Sequence, residues 1–340
     1  PHVGHSHPHV VEAAQKQLAR LNTNTRYLYD ELNEYTTRLL DYFPSPLRKV
    51  FLVNSGSAAT DLALRLARNY TGRRKTAVLE HGYHGNTAAG IDVSHYKFSG
   101  PGGKGVPKNT ICLPLPDTYR GKFKNNDATA GFSYAQEALR IIEPWKGKIA
   151  AFIAEPIVGC GGQVPVPKDY LKILYPEIRQ QGGICISDEV QTGFGRLGDV
   201  FWGFEAHEVI PDIVILGKPM GNGHPVGAVV CTDAIAEAFD NGMEFFSSFG
   251  GNPVSCSIGQ GVLEVLETEH LQKNALTVGN DYLQKLRELA NQYECIGDVR
   301  GSGLFIGIEL VKDRLSQEPN TRLARHLKNE LRNHRILVST

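Results

Sequence analysis

Four short runs of consecutive apolar residues constrain the fold of this 340-residue chain more than any other feature. The runs are 49–53, 149–154, 183–187 and 212–216. Strands buried on both faces of a parallel sheet have such runs, whereas strands with one solvent-exposed face alternate apolar and polar residues. Helical patterns at 58–70, 133–142 and 168–181 separate the runs. This alternation predicts an α/β fold, with a mostly parallel sheet covered by helices.

A smaller unit follows the sheet region. A helical pattern at 255–267 leads out of it, and a helix at 276–291, a strand at 303–310 and a helix at 321–333 come next. This order predicts a small α+β domain beside the large domain.

The domain bounds follow from this division of the chain. We predict that 1–20 is the remnant of an N-terminal segment of the small domain, 21–265 the large domain, and 266–340 a truncated small domain. Pro1 is not a natural start, and 335–340 resembles a helix end that enters a further strand. Both ends are therefore expected to be incomplete.

Charge and cysteine content exclude several classes of protein. Lys and Arg number 36, as do Asp and Glu, so the chain lacks the basic excess of a nucleic-acid-binding protein. No apolar run approaches the roughly 18 residues of a membrane helix. The six scattered cysteines include no CxxC pair, which favours a reduced, cytoplasmic protein.

Polar residues follow each of the four apolar runs. In open α/β sheets, ligands bind beyond the carboxyl ends of the strands, so these residues are candidates for a site. They are Ser55, Gly56 and Ser57 after the first run, Glu155 after the second, Asp188 after the third and Lys218 after the fourth. Each alone has a plainer explanation: an N-cap serine, a helix-capping acid or a solvated loop lysine.

Together these residues match the needs of one cofactor. A helix N-terminus binds an anion such as a phosphate, an acid can pair with a pyridinium nitrogen, and a lysine can form a Schiff base. A phosphorylated pyridine aldehyde, pyridoxal 5'-phosphate (PLP), requires all three.

At this point the chain resembles the class III (ornithine/ω-amino acid) aminotransferase family of PLP enzymes, over essentially its whole length. The matching motifs are Gly4-His5-Ser6-His7-Pro8, Asn54-Ser55-Gly56-Ser57, Tyr83-His84-Gly85, Glu155-Pro156, the stretch 188–196, Gly217-Lys218, the stretch 249–253 and the stretch 299–304. The resemblance implies PLP fold type I. It also assigns the first motif to a turn, so the density of His2, His5, His7 and His9 does not predict a metal site.

The resemblance also implies roles for single residues. Lys218 would form the Schiff base and move the proton, and Asp188 would keep the ring nitrogen protonated. Gln191 would bond the phenolic oxygen of the ring, and Tyr83 would stack on its face. Gly56 and Ser57 would hold the phosphate.

Further residues complete the implied cofactor site. Glu155 would position the glutamine and the ring, and Ser55 and His84 belong to two of the matching motifs. Ser248 stands where the family usually has threonine, and it would reach the phosphate of the neighbouring subunit. A homodimer with shared active sites, acting on a small-molecule amine, is therefore expected.

Two features bear on the reaction. Cys160 stands where glutamate-using members usually carry a second acid, which disfavours a dual-substrate glutamate transaminase. The strings 91–98, 114–122, 160–163 and 217–225 resemble the phospho-lyase branch, which includes ethanolamine-phosphate phospho-lyase and 5-phosphohydroxy-lysine phospho-lyase. Ala58 and Thr60 depart from that branch, which usually has Glu and Asn there.

The sequence therefore favours a phospho-lyase that eliminates phosphate and ammonia from a phosphorylated amine such as phosphoethanolamine. An ω-transaminase and a catalytically silent scaffold of the same fold are the alternatives. A substrate phosphate requires cations, for which Lys97, Arg120 and Lys122 are candidates.

Overall fold

A computed structural model describes residues 2–23 and 26–340. The strands are β1 (Lys49–Val53), β2 (Lys75–Leu79), β3 (Thr110–Leu113), β4 (Ile149–Ala154), β5 (Ile157–Val158), β6 (Val164–Pro165), β7 (Ile184–Asp188), β8 (Ile213–Leu216), β9 (Gly227–Cys231), β10 (Ile296–Ser302) and β11 (Phe305–Leu310). The helices are α1 (Pro8–Arg20), α2 (Asp30–Asp41), α3 (Gly56–Thr71), α4 (Ala88–Asp92), α5 (His95–Phe98), α6 (Ala130–Ile142), α7 (Tyr170–Gln180), α8 (Asp233–Phe239), α9 (Pro253–Thr268), α10 (Leu271–Gln292) and α11 (Thr321–Asn333).

A seven-stranded sheet forms the centre of the molecule, in the order β1-β9-β8-β7-β4-β2-β3. All neighbouring pairs are parallel except those of β9, which is antiparallel to both β8 and β1. The four apolar runs form β1, β4, β7 and β8, which confirms the predicted α/β sheet. The strands β8 and β9 form the two arms of a hairpin, with Leu216 paired to Ala228.

Strand periodicity distributes the apolar side chains to two faces. Ile213 and Ile215 of β8 pack in the cluster that includes the apolar face of α3. Val214 and Leu216 point to the opposite face, in the cluster with residues of α2 and α9. Successive side chains of a strand alternate in this way, so a fully apolar strand requires helices on both sides. The three layers hold the strand ends, and the loops that follow them, in fixed positions.

The smaller α+β unit contains the antiparallel pair β10 and β11, with α10 packed against β10. The predicted strand at 303–310 is shorter in the structure, because Gly303 and Leu304 form the turn between the two strands. The expected strand start at 335–340 is wrong: α11 ends at Asn333 and residues 336–340 form no strand. The predicted domain bounds stay predictions.

Among the residues that the structure describes, every helix is too short or too polar to cross a lipid bilayer.

Candidate active site

The loops after β2, β4, β7 and β8 meet the N-terminus of α3 at one edge of the sheet. Glycines allow the close approach. A Cβ on Gly217, next to Lys218, would lie 3.2 Å from Cα of Gly56. A Cβ on Gly56 would lie 3.1 Å from Cγ2 of Val190, in the loop after β7. The predicted site residues of these loops and of α3 therefore come together.

The N-terminus of α3 forms a compact cup with anion-binding character. Ser55 is the N-cap residue, and its Oγ accepts a hydrogen bond from N–H of Ala58 at 3.1 Å. The N–H groups of Gly56 and Ser57 have no partner within the helix, because the first turn has no preceding carbonyls. Oγ of Ser57 accepts the N–H of Asn86 at 3.0 Å, so its own proton can be donated elsewhere. Such a cup suits a phosphate.

The loop after β2 closes this cup. Gly85 has φ +127°, and a Cβ there would lie 3.0 Å from both Cα and Oγ of Ser57. A side chain at this position would be strained and would push Ser57 away. The requirement for glycine therefore follows from the close approach of two backbones around the cup.

A buried pair lies at the end of β7. Nδ1 of His84 is 2.8 Å from Oδ2 of Asp188, and the two residues are 2% and 4% exposed. Oδ1 of Asp188 accepts the N–H of Val190 at 3.1 Å, and the backbone N–H of His84 is held by Oγ of Ser94 at 2.8 Å. The Asp188 carboxylate is thus fixed in orientation within the apolar sheet region.

Glu155 lies beside this pair and is also buried. Its two carboxylate oxygens accept N–H of Tyr83 and N–H of Gly159, each at 3.1 Å. Burial raises the pKa of Glu155 to about 7; the nearby Asp188 adds to this, while His84 and the two backbone N–H groups oppose it. Glu155 thus joins the loop after β2 to the loop after β4.

Gln191 occupies the space left by a missing side chain. A Cβ on Gly159 would lie 2.4 Å from Nε2 of Gln191 and 3.2 Å from Oε2 of Glu155. The predicted neighbours Glu155 and Gln191 therefore meet at Gly159. Gly159 is not among the site residues predicted from the sequence, although it lies only four residues after Glu155.

Lys218 begins the short 3₁₀ helix Lys218–Gly221 that follows β8. Its side chain is exposed in the single chain. Burial raises the pKa of the half-buried Cys160 thiol, and Glu155 and Asp188 add to this effect. Lys218 and Lys97 lower the same pKa. Cys160 therefore lies within electrostatic range of both lysines and both acids.

Tyr83 lies at the same opening. Burial raises the pKa of the Tyr83 hydroxyl, and the nearby Cys160 and Asp188 raise it further. Nζ of Lys97 lies 5.7 Å from the centre of the Tyr83 ring. Lys97 forms no ion pair among residues 2–23 and 26–340, so it presents an uncompensated charge beside the ring.

The other candidate cations lie in ion pairs. Nη2 of Arg120 is 2.7 Å from Oε1 of Glu309, and Nζ of Lys122 is 3.3 Å from Oε1 of Glu137. The hypothesis that these two residues bind a substrate phosphate is therefore not supported. Ser248 lies exposed in the segment between α8 and α9, and its predicted contact across a subunit boundary stays a prediction.

The structure also gathers three side chains that the cysteine spacing did not reveal. Ligand atoms of Glu80, His95 and Cys112 lie within 4.8 Å of one another. However, Nδ1 of His95 accepts the N–H of His81 at 2.9 Å, so this nitrogen is already in use.

The fold and the edge-of-sheet site define a class of protein: the architecture is that of PLP fold type I transaminases. The chain belongs to the class III aminotransferase family, whose family model matches residues 1–335. It is an enzyme of this family, which contains both transaminases and phospho-lyases.

Individual relatives include both kinds of enzyme. The chain is 49% identical over its full length to the Drosophila melanogaster protein "alanine–glyoxylate aminotransferase 2-like", covering 70% of that protein. It is 42% identical to the Caenorhabditis elegans protein "ethanolamine-phosphate phospho-lyase homolog 1", with 95% of the chain and 72% of that protein covered. A solved phospholyase from Arthrobacter, in complex with phosphoethanolamine, is 34% identical with a TM-score of 0.92, covering 100% of this chain and 80% of that one. Family membership therefore defines the class but not the reaction.

Proposed function

We propose that this chain binds PLP between the N-terminus of α3 and the loop after β8. The cup at Gly56 and Ser57 offers N–H and O–H donors for the phosphate. Asp188, held by His84 and by N–H of Val190, would face the ring nitrogen. Lys218 provides the amine for the aldehyde. The donor set thus matches each polar end of this cofactor.

The remaining cofactor-binding residues would act on the ring. Ser55 shapes the cup as N-cap, and Tyr83 would cover one face of the ring. Gln191, whose amide lies beside Gly159 where a side chain would otherwise be, would donate to the phenolic oxygen. His84 would act through Asp188 rather than touch the ring.

We propose that the enzyme is a phospho-lyase acting on a phosphorylated amine such as phosphoethanolamine. Bound PLP supplies an electron sink for the carbon that carries the amine. Nζ of Lys218 would take the proton from that carbon, and the phosphate would leave with the electron pair of the neighbouring C–O bond. The released enamine takes up a proton on its terminal carbon to become an imine, and water hydrolyses the imine to an aldehyde and ammonia. With the departed phosphate, the products are therefore an aldehyde, ammonia and inorganic phosphate.

The observation that carries this proposal is the position of Lys97. It lies beside Tyr83 and acts on the pKa of the Cys160 thiol together with Lys218. An ammonium group at the mouth of the site that has no carboxylate partner within the described part of the chain is suited to a dianionic substrate group. The neutral thiol of Cys160 leaves this charge free, whereas an acid at that position would compete for it. The likeness to the phospholyase from Arthrobacter supports the same substrate class.

Release of inorganic phosphate from phosphoethanolamine, without any keto acid, tests this proposal. We expect stoichiometric phosphate and aldehyde from the PLP-loaded chain and none from Lys218→Ala. Activity that requires pyruvate or glyoxylate would instead support the ω-transaminase, the second candidate, which the likeness to the Drosophila protein favours. A protein with no PLP absorbance in the visible range would support the silent scaffold.

We further propose that the enzyme is a homodimer with shared sites. The segment around Ser248 exposes large apolar side chains, with Phe246 54% and Phe249 62% exposed. A second copy of the chain would cover this segment and place Ser248 at its partner's phosphate. Light scattering combined with size-exclusion chromatography should give the mass of a dimer.

We also propose a cytoplasmic location. The six cysteines are all free thiols, as in proteins of reducing compartments. Cell fractionation tests this, and recovery of the protein in an organelle would contradict it.

A further inference from the structure

A cavity lined by arginines lies at the amino edge of the sheet, far from the candidate active site. Its volume is about 520 Å³, and Arg65, Arg68, Arg73 and Arg74 line it together with Asn109 and Phe239. We call it the arginine pocket. It lies at the C-terminus of α3 and before the first residues of β2 and β3. The helix α3 has 16 residues and is therefore roughly 24 Å long, with the cup at its N-terminus and the pocket along its C-terminal half.

Two of the guanidinium groups are held in place by neutral partners. Nη2 of Arg65 donates to the carbonyl of Met243 at 3.0 Å, and its guanidinium lies 4.7 Å from the centre of the Phe239 ring. Nη1 of Arg73 donates to the carbonyl of Ile149 at 3.3 Å. These contacts fix the positions of the two cations but leave their charges uncompensated.

The other two arginines have donors to spare. Nε of Arg68 is buried and has no hydrogen-bond partner among the residues that the structure describes. A buried donor without a partner is costly, so Nε of Arg68 remains available to an acceptor that enters the cavity. Arg74 is exposed at the rim.

The charge of the pocket is not balanced from within the described chain. None of the residues that line it is acidic, and none of its four arginines forms an ion pair there. Asp240 is next to Phe239 in sequence, but it is exposed and does not line the cavity. The C-terminal end of α3 offers only about half an elementary charge. Several positive charges therefore face the cavity.

The available polar atoms of the lining are donors rather than acceptors. Oδ1 of Asn69 accepts a hydrogen bond from Asn241, and Oδ1 of Asn241 accepts one from the N–H of Met243. The acceptors of these two amides are thus occupied within the protein. A cavity with several guanidinium groups and few free acceptors suits an anion with many oxygens.

We propose that the arginine pocket is a second binding site, for an oligophosphate chain. The volume lies within the range of small-molecule sites and exceeds what a single phosphate needs. Four cations match the charge of a linear triphosphate, either inorganic or carried by a nucleotide. This site is independent of the proposed reaction, so failure of the phosphate-release assay would leave it standing.

Calorimetric titration of the PLP-loaded chain with inorganic tripolyphosphate tests the proposal. We expect tripolyphosphate to bind at one site per chain, apart from any binding to the cup at Gly56 and Ser57. Arg74→Glu, a change at an exposed residue that the fold tolerates, should weaken binding at least tenfold, and Arg68→Gln should also weaken it. The matched control is Arg140→Glu, because Arg140 is exposed on α6 outside the pocket. It should leave binding unchanged.

Two further binding measurements show which site the anion occupies and whether the ligand is a nucleotide or an inorganic phosphate chain. Ser57→Ala should keep the affinity for tripolyphosphate, because the cup lies at the other end of α3. Tighter binding of ATP would indicate a nucleotide, and equal binding would indicate the phosphate chain alone. No binding to the wild type, equal binding to wild type and Arg74→Glu, or loss of binding in Ser57→Ala would each overturn the proposal.

Discussion

His84 donates to, or shares a proton with, Asp188 across 2.8 Å, and both side chains are almost completely buried. This contact joins the loop after β2 to the end of β7. Removing one partner of a buried hydrogen-bonded pair leaves the other unsatisfied. We therefore expect the pair to contribute to folding and, through the proposed role of Asp188, to cofactor binding.

We predict that His84→Ala lowers the free energy of unfolding by about 2–3 kcal/mol and weakens PLP binding. His84→Asn should recover part of both losses, because its amide can donate in place of Nδ1. Urea denaturation and titration with PLP measure the two effects. Equal losses in His84→Ala and His84→Asn would contradict a role for the hydrogen bond.

The raised pKa of Glu155 predicts a pH dependence of stability in the cofactor-free chain. The folded-state pKa is about 7, above the unfolded value of about 4.3. The unfolded chain therefore loses this proton first as pH rises, so the contribution of Glu155 to stability is present below about pH 4 and is lost by about pH 7. At about 1.4 kcal/mol per pKa unit, the full loss is roughly 4 kcal/mol once the pH has risen through the folded-state pKa.

Comparison with Glu155→Gln isolates this effect. The wild type should lose more stability than the variant between pH 4.5 and about 7, as measured by urea denaturation at a series of pH values. Parallel profiles for the two proteins would show that Glu155 titrates outside this interval.

Lys97→Met should reduce kcat/KM for phosphoethanolamine by about tenfold to a hundredfold, because a charge-assisted hydrogen bond to the substrate phosphate is lost. Lys122→Met is the matched control, since Lys122 is exposed and paired with Glu137. It should change kcat/KM by less than about twofold. A similar loss of kcat/KM with an amine that lacks a phosphate group would show that Lys97 does not act on the substrate phosphate.

Gly85→Ala should weaken PLP binding at least tenfold, because the added methyl group would meet Ser57 in the cup at 3.0 Å. Gly102→Ala is the control: Gly102 also has a positive φ, +81°, but nothing lies within 4 Å of its Cβ position. Only backbone strain of about 1–2 kcal/mol is expected there, with unchanged PLP affinity. Equal effects of the two substitutions on PLP affinity would argue against a steric role for the cup.

The sequence predicted β1, β4, β7 and β8 from their apolar runs, but it missed β9, whose five residues are equally apolar and buried. Other strands were missed for physical reasons. β2 begins with Lys75 and Thr76, so its apolar run is limited to its last three residues, although the last four of its five residues are buried. β10 carries Asp298 and Arg300 and is only partly buried. Its pairing with β11 depends on a turn at Gly303, which the apolar pattern extended into a single strand.

The sequence likewise predicted some of the residues of the candidate site and left others undecided. Residues that end strands could be identified from the sequence, because the strand ends of a parallel sheet meet at one edge. Which of Lys97, Arg120 and Lys122 faces the site could not be predicted, since the distant acids Glu309 and Glu137 decide it. These ion pairs join residues far apart in the sequence, so they can be recognised only in the folded chain.

The reversal of direction at β9 has a consequence for Lys218. The lysine lies in the connection of a hairpin whose two arms are bonded to each other, and β9 also pairs with β1. Its main chain is therefore anchored from both sides. An amine that must detach from one carbon and approach another can do so by rotation of its four methylene groups, while the peptide that carries it stays still.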